Sequence, residues 1–203
     1  MIAALYVAPG GVYFGLEGVD PWDAQRDARL YAGPWPVVAH PPCERWGRYW
    51  HGGPSAKVRR VKGDDSGCFA AALAAVRKYG GVLEHPEASA AWDTFGLARP
   101  PKTGGWISAD LVGWTCCVEQ GHYGHKARKA TWLYICKADR LELLWGPALG
   151  VGRLDEGFHS SEERRAARAA GCKPIKRLTA KENLATPLPF RDVLLTMAHS
   201  VAA

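Results

Sequence analysis

The chain has 203 residues, 47% of them hydrophobic and 23% charged, enough to bury one sizeable core and too apolar for an intrinsically disordered chain. Its formal net charge of +6 suits an anionic partner, nucleic acid foremost. Six cysteines in this length are too few and too irregularly spaced for a disulfide scaffold, no stretch approaches the roughly 18 apolar residues of a membrane span, and residues 1–11 lack the basic and apolar regions of a secretory signal. The expectation is a cytoplasmic α/β protein with reduced thiols and no membrane association.

In chain order, Ile2 to Ala8 reads as a short buried strand stopped by Pro9-Gly10-Gly11. Val12-Tyr13-Phe14 reads as a second short strand. Asp20 before Pro21 has the form of a helix start, with a helix expected to about Tyr31 and broken at Gly33-Pro34. Pro36 to Ala39 is a further buried strand, and His40-Pro41-Pro42-Cys43 must leave it as a stiff loop, because two prolines fix two φ angles and remove two donors. That loop would present Cys43 at the carboxyl end of a strand, where open α/β sheets place ligands. Arg45 and Arg48 follow it and would favour the thiolate, while Trp46, Tyr49 and Trp50 add aromatic surface.

Residues 47–65 form a long basic loop carrying Arg48, His51, Lys57, Arg59, Arg60 and Lys62. Long loops inside compact domains are usually functional or mobile. A helix is expected from Asp64-Asp65-Ser66 to Tyr79, stopped by Gly80-Gly81. Val82-Leu83 is the next short strand, ending in Glu84-His85-Pro86. A helical or irregular segment runs from Pro86 to Leu97, and a strand is expected at 112–119. After a turn at His122-Tyr123-Gly124-His125, Thr131 to Cys136 is the last strand, making a β-hairpin that carries Lys126, Arg128 and Lys129. The remainder, 141–203, reads as an extension packed on a 1–140 core, with a short helix from Ser160 or Ser161 to Gly171 and a final amphipathic helix marked by Phe190, Val193, Leu194 and Met197.

Cys43 and Glu84 are 41 residues apart with one helix between them, the dimensions of a βαβ unit. Its parallel strands deliver both residues to one edge of the sheet. A thiol and a carboxyl at one crevice suit pyrimidine chemistry: the sulfur adds to ring carbon 6 and carbon 5 becomes nucleophilic, while the carboxyl holds the ring. Cys117, His122 and His125 have ligand-type spacing, but no second cluster completes a structural zinc site, and no metal is expected.

The quoted blocks resemble the cytosine carbon-5 DNA methyltransferases. His40-Pro41-Pro42-Cys43 is similar to that family's Pro-Cys nucleophile loop. Leu83-Glu84-His85-Pro86 is similar to its Glu-Asn-Val strand end, and the stretch from Tyr123 to Ile135 to its Tyr-Gly-x-Pro-Gln-x-Arg-x-Arg segment. The resemblance spans residues 1–137 and implies a Rossmann-like, mostly parallel methyltransferase-type sheet with a C-terminal β-hairpin and a helical tail. It also implies a DNA substrate and pyrimidine modification at carbon 5, with Cys43 as nucleophile and Glu84 as base-binding carboxyl. Arg45, Trp46, His85, Tyr123, Lys126, Arg128 and Lys129 would contact the substrate. An ungapped match puts Ala127, Lys129 and Thr131 at the family's Gln and two Arg positions, so Lys129 alone keeps a cation there. S-adenosylmethionine is the implied methyl donor, with Gly10, Gly11 and Asp20 as its nearest candidate contacts, although the family's Gly-x-Gly loop has no good counterpart. The family's separate base-recognition domain has no counterpart either, giving the compact build expected of a phage or mobile-element protein. Two other readings remain: a non-catalytic nucleic-acid binder on the same scaffold, and an enzyme of free pyrimidine nucleotides.

Overall fold

A computed structural model of the chain describes residues 1–52, 59–152, 154, 161–171 and 177–201. It is an α/β fold around one mixed seven-stranded sheet. The strands are β1 (Ile2–Leu5), β2 (Val19–Trp22), β3 (Val37–Ala39), β4 (Gly81–Pro86), β5 (Ile107–Ser108), β6 (Gly113–Glu119) and β7 (Ala130–Cys136). Their spatial order is β2-β1-β3-β4-β7-β6-β5. The first four run parallel, and β7, β6 and β5 continue the sheet by antiparallel pairing. Strands β1 and β3 are wholly buried apolar runs, as expected of parallel strands covered on both faces.

Two helices supply the cover. Helix α1 (Cys68–Tyr79) lays Phe69, Ala72, Leu73 and Val76 on one face, against Ala3, Leu5, Val37, Ala39, Leu83, Trp132 and Tyr134. The final helix, α5 (Leu188–His199), lays Phe190, Leu194, Met197 and Ala198 on the other, against Ile2, Ala4, Val38, Val82, Leu133 and Ile135. These two sets alternate along each strand, the period-two pleat that assigns neighbours to opposite faces. Three shorter helices complete the description: α2 (Ala90–Thr94), α3 (Ser161–Ala169) and α4 (Ala180–Leu184). Among the described residues no helix is long and apolar enough to cross a membrane.

Strands β3 and β4 approach so closely that a Cβ on Gly81 would lie 2.0 Å from the Val37 carbonyl oxygen. A glycine is required at that point, and its φ of 119° agrees.

The amino-terminal third departs from the sequence expectation. Val19–Trp22 is an edge strand paired with β1, not the start of a helix, and only a single 3-10 turn forms, at Ala28–Leu30. Pro21 is tolerated in β2 because an edge strand has one side free of ladder partners. Val12 to Phe14 is a turn rather than a strand, and it buries Tyr13 to 2% exposure. The expected helices at 64–79, 161–171 and the C-terminus form with shifted ends, and the hairpin forms with a 3-10 turn at Gln120–Tyr123. Lys57 and Cys172 lie outside the described residues.

Candidate active site

The strand order reverses at β1, with β2 on one side and β3 on the other. The carboxyl ends of β1 and β3 therefore flank a topological switch point, the usual ligand crevice of an open α/β sheet. The antiparallel β7 begins, and β6 ends, at this same edge, because Pro86 pairs with Thr131 and Glu119 with Ala130. Four segments meet there: the turn holding Tyr13, the His40–Cys43 loop, the end of β4 and the hairpin corner.

The polar groups at this edge form a chain. The Tyr13 hydroxyl lies 2.8 Å from His40 Nε2. His40 Nδ1 lies 3.0 Å from Glu84 Oε2. Gln120 Nε2 donates to Glu84 Oε1 at 3.1 Å and to Thr131 Oγ1 at 2.9 Å. A proton on His40 Nδ1 lets the ring donate to Glu84. Burial raises the Glu84 pKa, but the hydrogen bond and charge of His40, with Lys129, more than offset it, so the carboxyl lies below its ordinary range. Glu84 is thus an ionised acceptor held by two donors.

Cys43 is half-buried beside this chain. Its carbonyl accepts from Trp46 N at 3.0 Å and Gly47 N at 2.8 Å, a turn that fixes the loop after the two prolines. The expected lowering of its pKa is overturned. Burial pushes the thiol up and the Glu84 charge adds to the rise, while Lys129 opposes it only in part. The cation whose charge acts on the sulfur is Lys129 rather than Arg45. Lys129 is itself drawn below the usual lysine range by burial, offset in part by Glu84 and Cys43. At rest the site holds a thiol, a carboxylate and a lysine. A ring that donates an N–H to Glu84 would weaken the charge that keeps the sulfur protonated.

Other expected contacts are used elsewhere. The Trp46 ring is buried against Phe69 and Phe95, with its N–H on Asp65 at 2.7 Å, so it belongs to the core. His85 alternates with Glu84 and points to the α1 face, fully buried between Phe69 and Trp92. Neither of its ring nitrogens has a hydrogen-bond partner, and burial, only partly offset by the nearby Glu84 charge, lowers its pKa to about 4. Arg45 lends its carbonyl to Gly63 N and buries an unpartnered Nη1. The Tyr123 ring packs on Phe190 and its hydroxyl accepts from Leu144 N. Arg128 is spent on Glu119 through two hydrogen bonds of 2.8 and 2.6 Å, and Lys126 on Glu182 at 2.5 Å. His122 and His125 bond the backbone carbonyls of Gly146 and Ala127. In the basic loop, Arg48 faces Glu87 and Arg60 faces Glu44.

The residues named for S-adenosylmethionine do not fit it. Asp20 lies inside β2, and its carboxylate is taken by Arg26 and the Trp22 indole N–H. Gly10 and Gly11 close a turn on themselves, Gly11 N donating to the Ala8 carbonyl at 2.9 Å.

Sequence reading missed His40, Tyr13 and Gln120. His40 lies in the loop it singled out, yet its acidic partner is 44 residues away and only strand pairing brings them together. A groove of about 670 Å3, lined by Val112, Trp114 and Lys137 to Glu142, lies at the opposite end of the hairpin, away from Cys43. Comparison of the chain with known protein families, curated proteins and solved structures finds no match.

Proposed function

We propose that the chain modifies a pyrimidine base of DNA at carbon 5 through a covalent Cys43 adduct, on a methyltransferase-type sheet. The observation that carries this reading is the convergence, at the switch-point edge, of the loop after β3, the end of β4 and the hairpin corner, which carry Cys43, Glu84 and Lys129. Four parallel strands followed by an antiparallel hairpin also support the methyltransferase-type reading.

In the proposed reaction, Glu84 accepts an N–H from the edge of the ring, and Lys129 donates to a ring carbonyl oxygen. The Cys43 S–H gives up its proton to solvent water, and the sulfur bonds to carbon 6. The carbon 5–carbon 6 electron pair moves toward carbon 5, with charge spread to the oxygen that Lys129 holds. Carbon 5 then takes an electrophile, a proton when no other donor is present. Loss of the original carbon-5 hydrogen as a proton and expulsion of the thiolate restore the double bond. A duplex substrate requires the base to be flipped from the stack. The +6 charge supports a nucleic-acid partner whose affinity falls with salt, and a cytoplasmic setting with reduced thiols accords with the chemistry.

DNA bearing 5-fluorocytosine or 5-fluorouracil tests the reading. The wild type forms a protein–DNA species that survives denaturing electrophoresis, and Cys43→Ser does not. A second reading, a non-catalytic nucleic-acid binder, is favoured by the raised pKa of Cys43. It predicts salt-sensitive binding with no such species from either protein.

A further inference from the structure

The hairpin corner presents two lysines, and both are held by one short stretch of the C-terminal tail. Lys126 Nζ lies 2.5 Å from Glu182 Oε1, and Lys129 Nζ donates to the Ala185 carbonyl at 3.1 Å. His125 Nε2 lies 3.2 Å from the Glu182 carbonyl. The stretch is α4 with its flanks. Thr179 and Glu182 form a reciprocal capping box at its start, Thr179 Oγ1 accepting from Glu182 N and Glu182 Oε2 accepting from Thr179 N at 3.0 Å.

This segment is attached by polar groups rather than by a core. Helix α4 buries none of its five residues, and Leu184 is 74% exposed. A groove of about 430 Å3, lined by Arg177, Leu178, Thr179, Ala180 and Asn183, borders it. The Glu182 carboxyl, pulled down to about 2 by its hydrogen bond to Lys126 and its capping contacts, is a fixed anion in this setting. Lys129, in turn, is the cation that acts on Cys43 and Glu84.

A surface held by an exposed ion pair and backbone hydrogen bonds exchanges readily with another anion, since such pairs contribute little individually and are screened by salt. Phosphate oxygens are better partners for lysine than a single carboxylate and a carbonyl, being more charged and more numerous. We infer that residues 179–185 are a built-in phosphate mimic: Glu182 occupies Lys126, the lysine that a nucleic-acid backbone takes, and phosphate on Lys126 displaces the strap, releasing Lys129 from the Ala185 carbonyl toward Cys43. This inference rests on the proposed function for the identity of the polyanion, but not for the existence of the strap.

The test reads Cys43 labelling by iodoacetamide, mapped by mass spectrometry, in the whole chain. Glu182→Gln removes the charge while a glutamine keeps the capping box, and Lys126→Gln removes the same pair from the other side. Both variants label Cys43 several-fold faster than wild type. Inorganic tripolyphosphate, too small to cover the crevice, accelerates the wild type beyond chloride of equal ionic strength and adds little to Glu182→Gln. Equal labelling of wild type and both variants overturns the strap. Faster labelling of the variants with no tripolyphosphate effect on the wild type overturns the mimicry. Neither measurement involves a base, so failure here is distinct from failure of the fluoropyrimidine adduct.

Discussion

Glu84 and His85 are consecutive on β4, and the two sides of the sheet treat them in opposite ways. Glu84 faces the α5 side, where its carboxylate takes donors from His40 and Gln120. His85 faces the α1 side, where Phe69 and Trp92 close on a ring with no hydrogen-bond partner. A buried polar group without a partner costs about 1–3 kcal/mol, whereas the same chemistry inside a satisfied chain is neutral or favourable. The contrast separates a group organised for chemistry from one that the packing merely accommodates.

The comparison is broken most severely by Glu84→Gln. The variant cannot supply the ionised acceptor, and the rate of fluoropyrimidine adduct formation is expected to drop on the order of 100-fold. A wild-type rate would remove Glu84 from the site. His85 gives the mirror experiment, read in stability. Its folded pKa of about 4 lies below the ordinary 6.5, so between those values the unfolded chain binds a proton that the folded chain refuses. Stability therefore falls as pH drops from 6.5 toward 4, by roughly 3 kcal/mol, and levels off below. Glu84, whose pKa is lowered, contributes stability above its ordinary value of 4.5 that is lost only as pH falls through its folded pKa, a separate window. Urea titrations of wild type and His85→Leu at neutral pH and near pH 4 isolate the first effect: the variant should lose the slope and keep adduct formation. Parallel slopes would contradict the assignment.

Lys129→Gln sharpens the electrostatic half of the contrast. Removing the cation that opposes the rise of the Cys43 pKa is expected to slow iodoacetamide labelling at pH 8 about threefold to tenfold, the fraction of thiolate being what reacts. Unchanged labelling would mean that Lys129 does not act on the sulfur. Tyr13→Phe is the mildest change. It deletes the last link of the chain to His40, with an expected loss of about 1 kcal/mol in stability and less than a tenfold change in adduct rate. A larger drop in rate than in stability would make Tyr13 a participant rather than a support.

Much of the sheet is readable from the sequence because its strands are bounded by Pro and Gly and its helices by turn residues. Val37–Ala39, the 81–86 strand and the hairpin all form where hydrophobic pattern places them. The failures have physical causes. Pro21 after Asp20 has the form of a helix start, yet the same pair fits an edge strand, and only pairing with β1 decides. Trp46 and His85 were assigned to the site from proximity along the chain, whereas the pleat and the turn after Cys43 send them into the α1-side core. Arg128 and Lys129 differ by one residue, and the hairpin spends the first on Glu119 and turns the second toward Glu84. The Tyr13–His40–Glu84–Gln120 chain was invisible because its members come from four separate segments. Its one local sign was a histidine beside the two prolines.

The central claim is that Cys43 adds to carbon 6 of a pyrimidine, and hydrogen exchange at carbon 5 tests it without any methyl donor. Addition makes carbon 5 basic, so it takes a solvent proton, and reversal returns a base whose carbon-5 hydrogen has exchanged. DNA incubated with the protein in deuterated water and digested to nucleosides should show deuterium at carbon 5 of cytosine or uracil with the wild type and none with Cys43→Ser. No incorporation by either protein, or equal incorporation by both, would contradict the account.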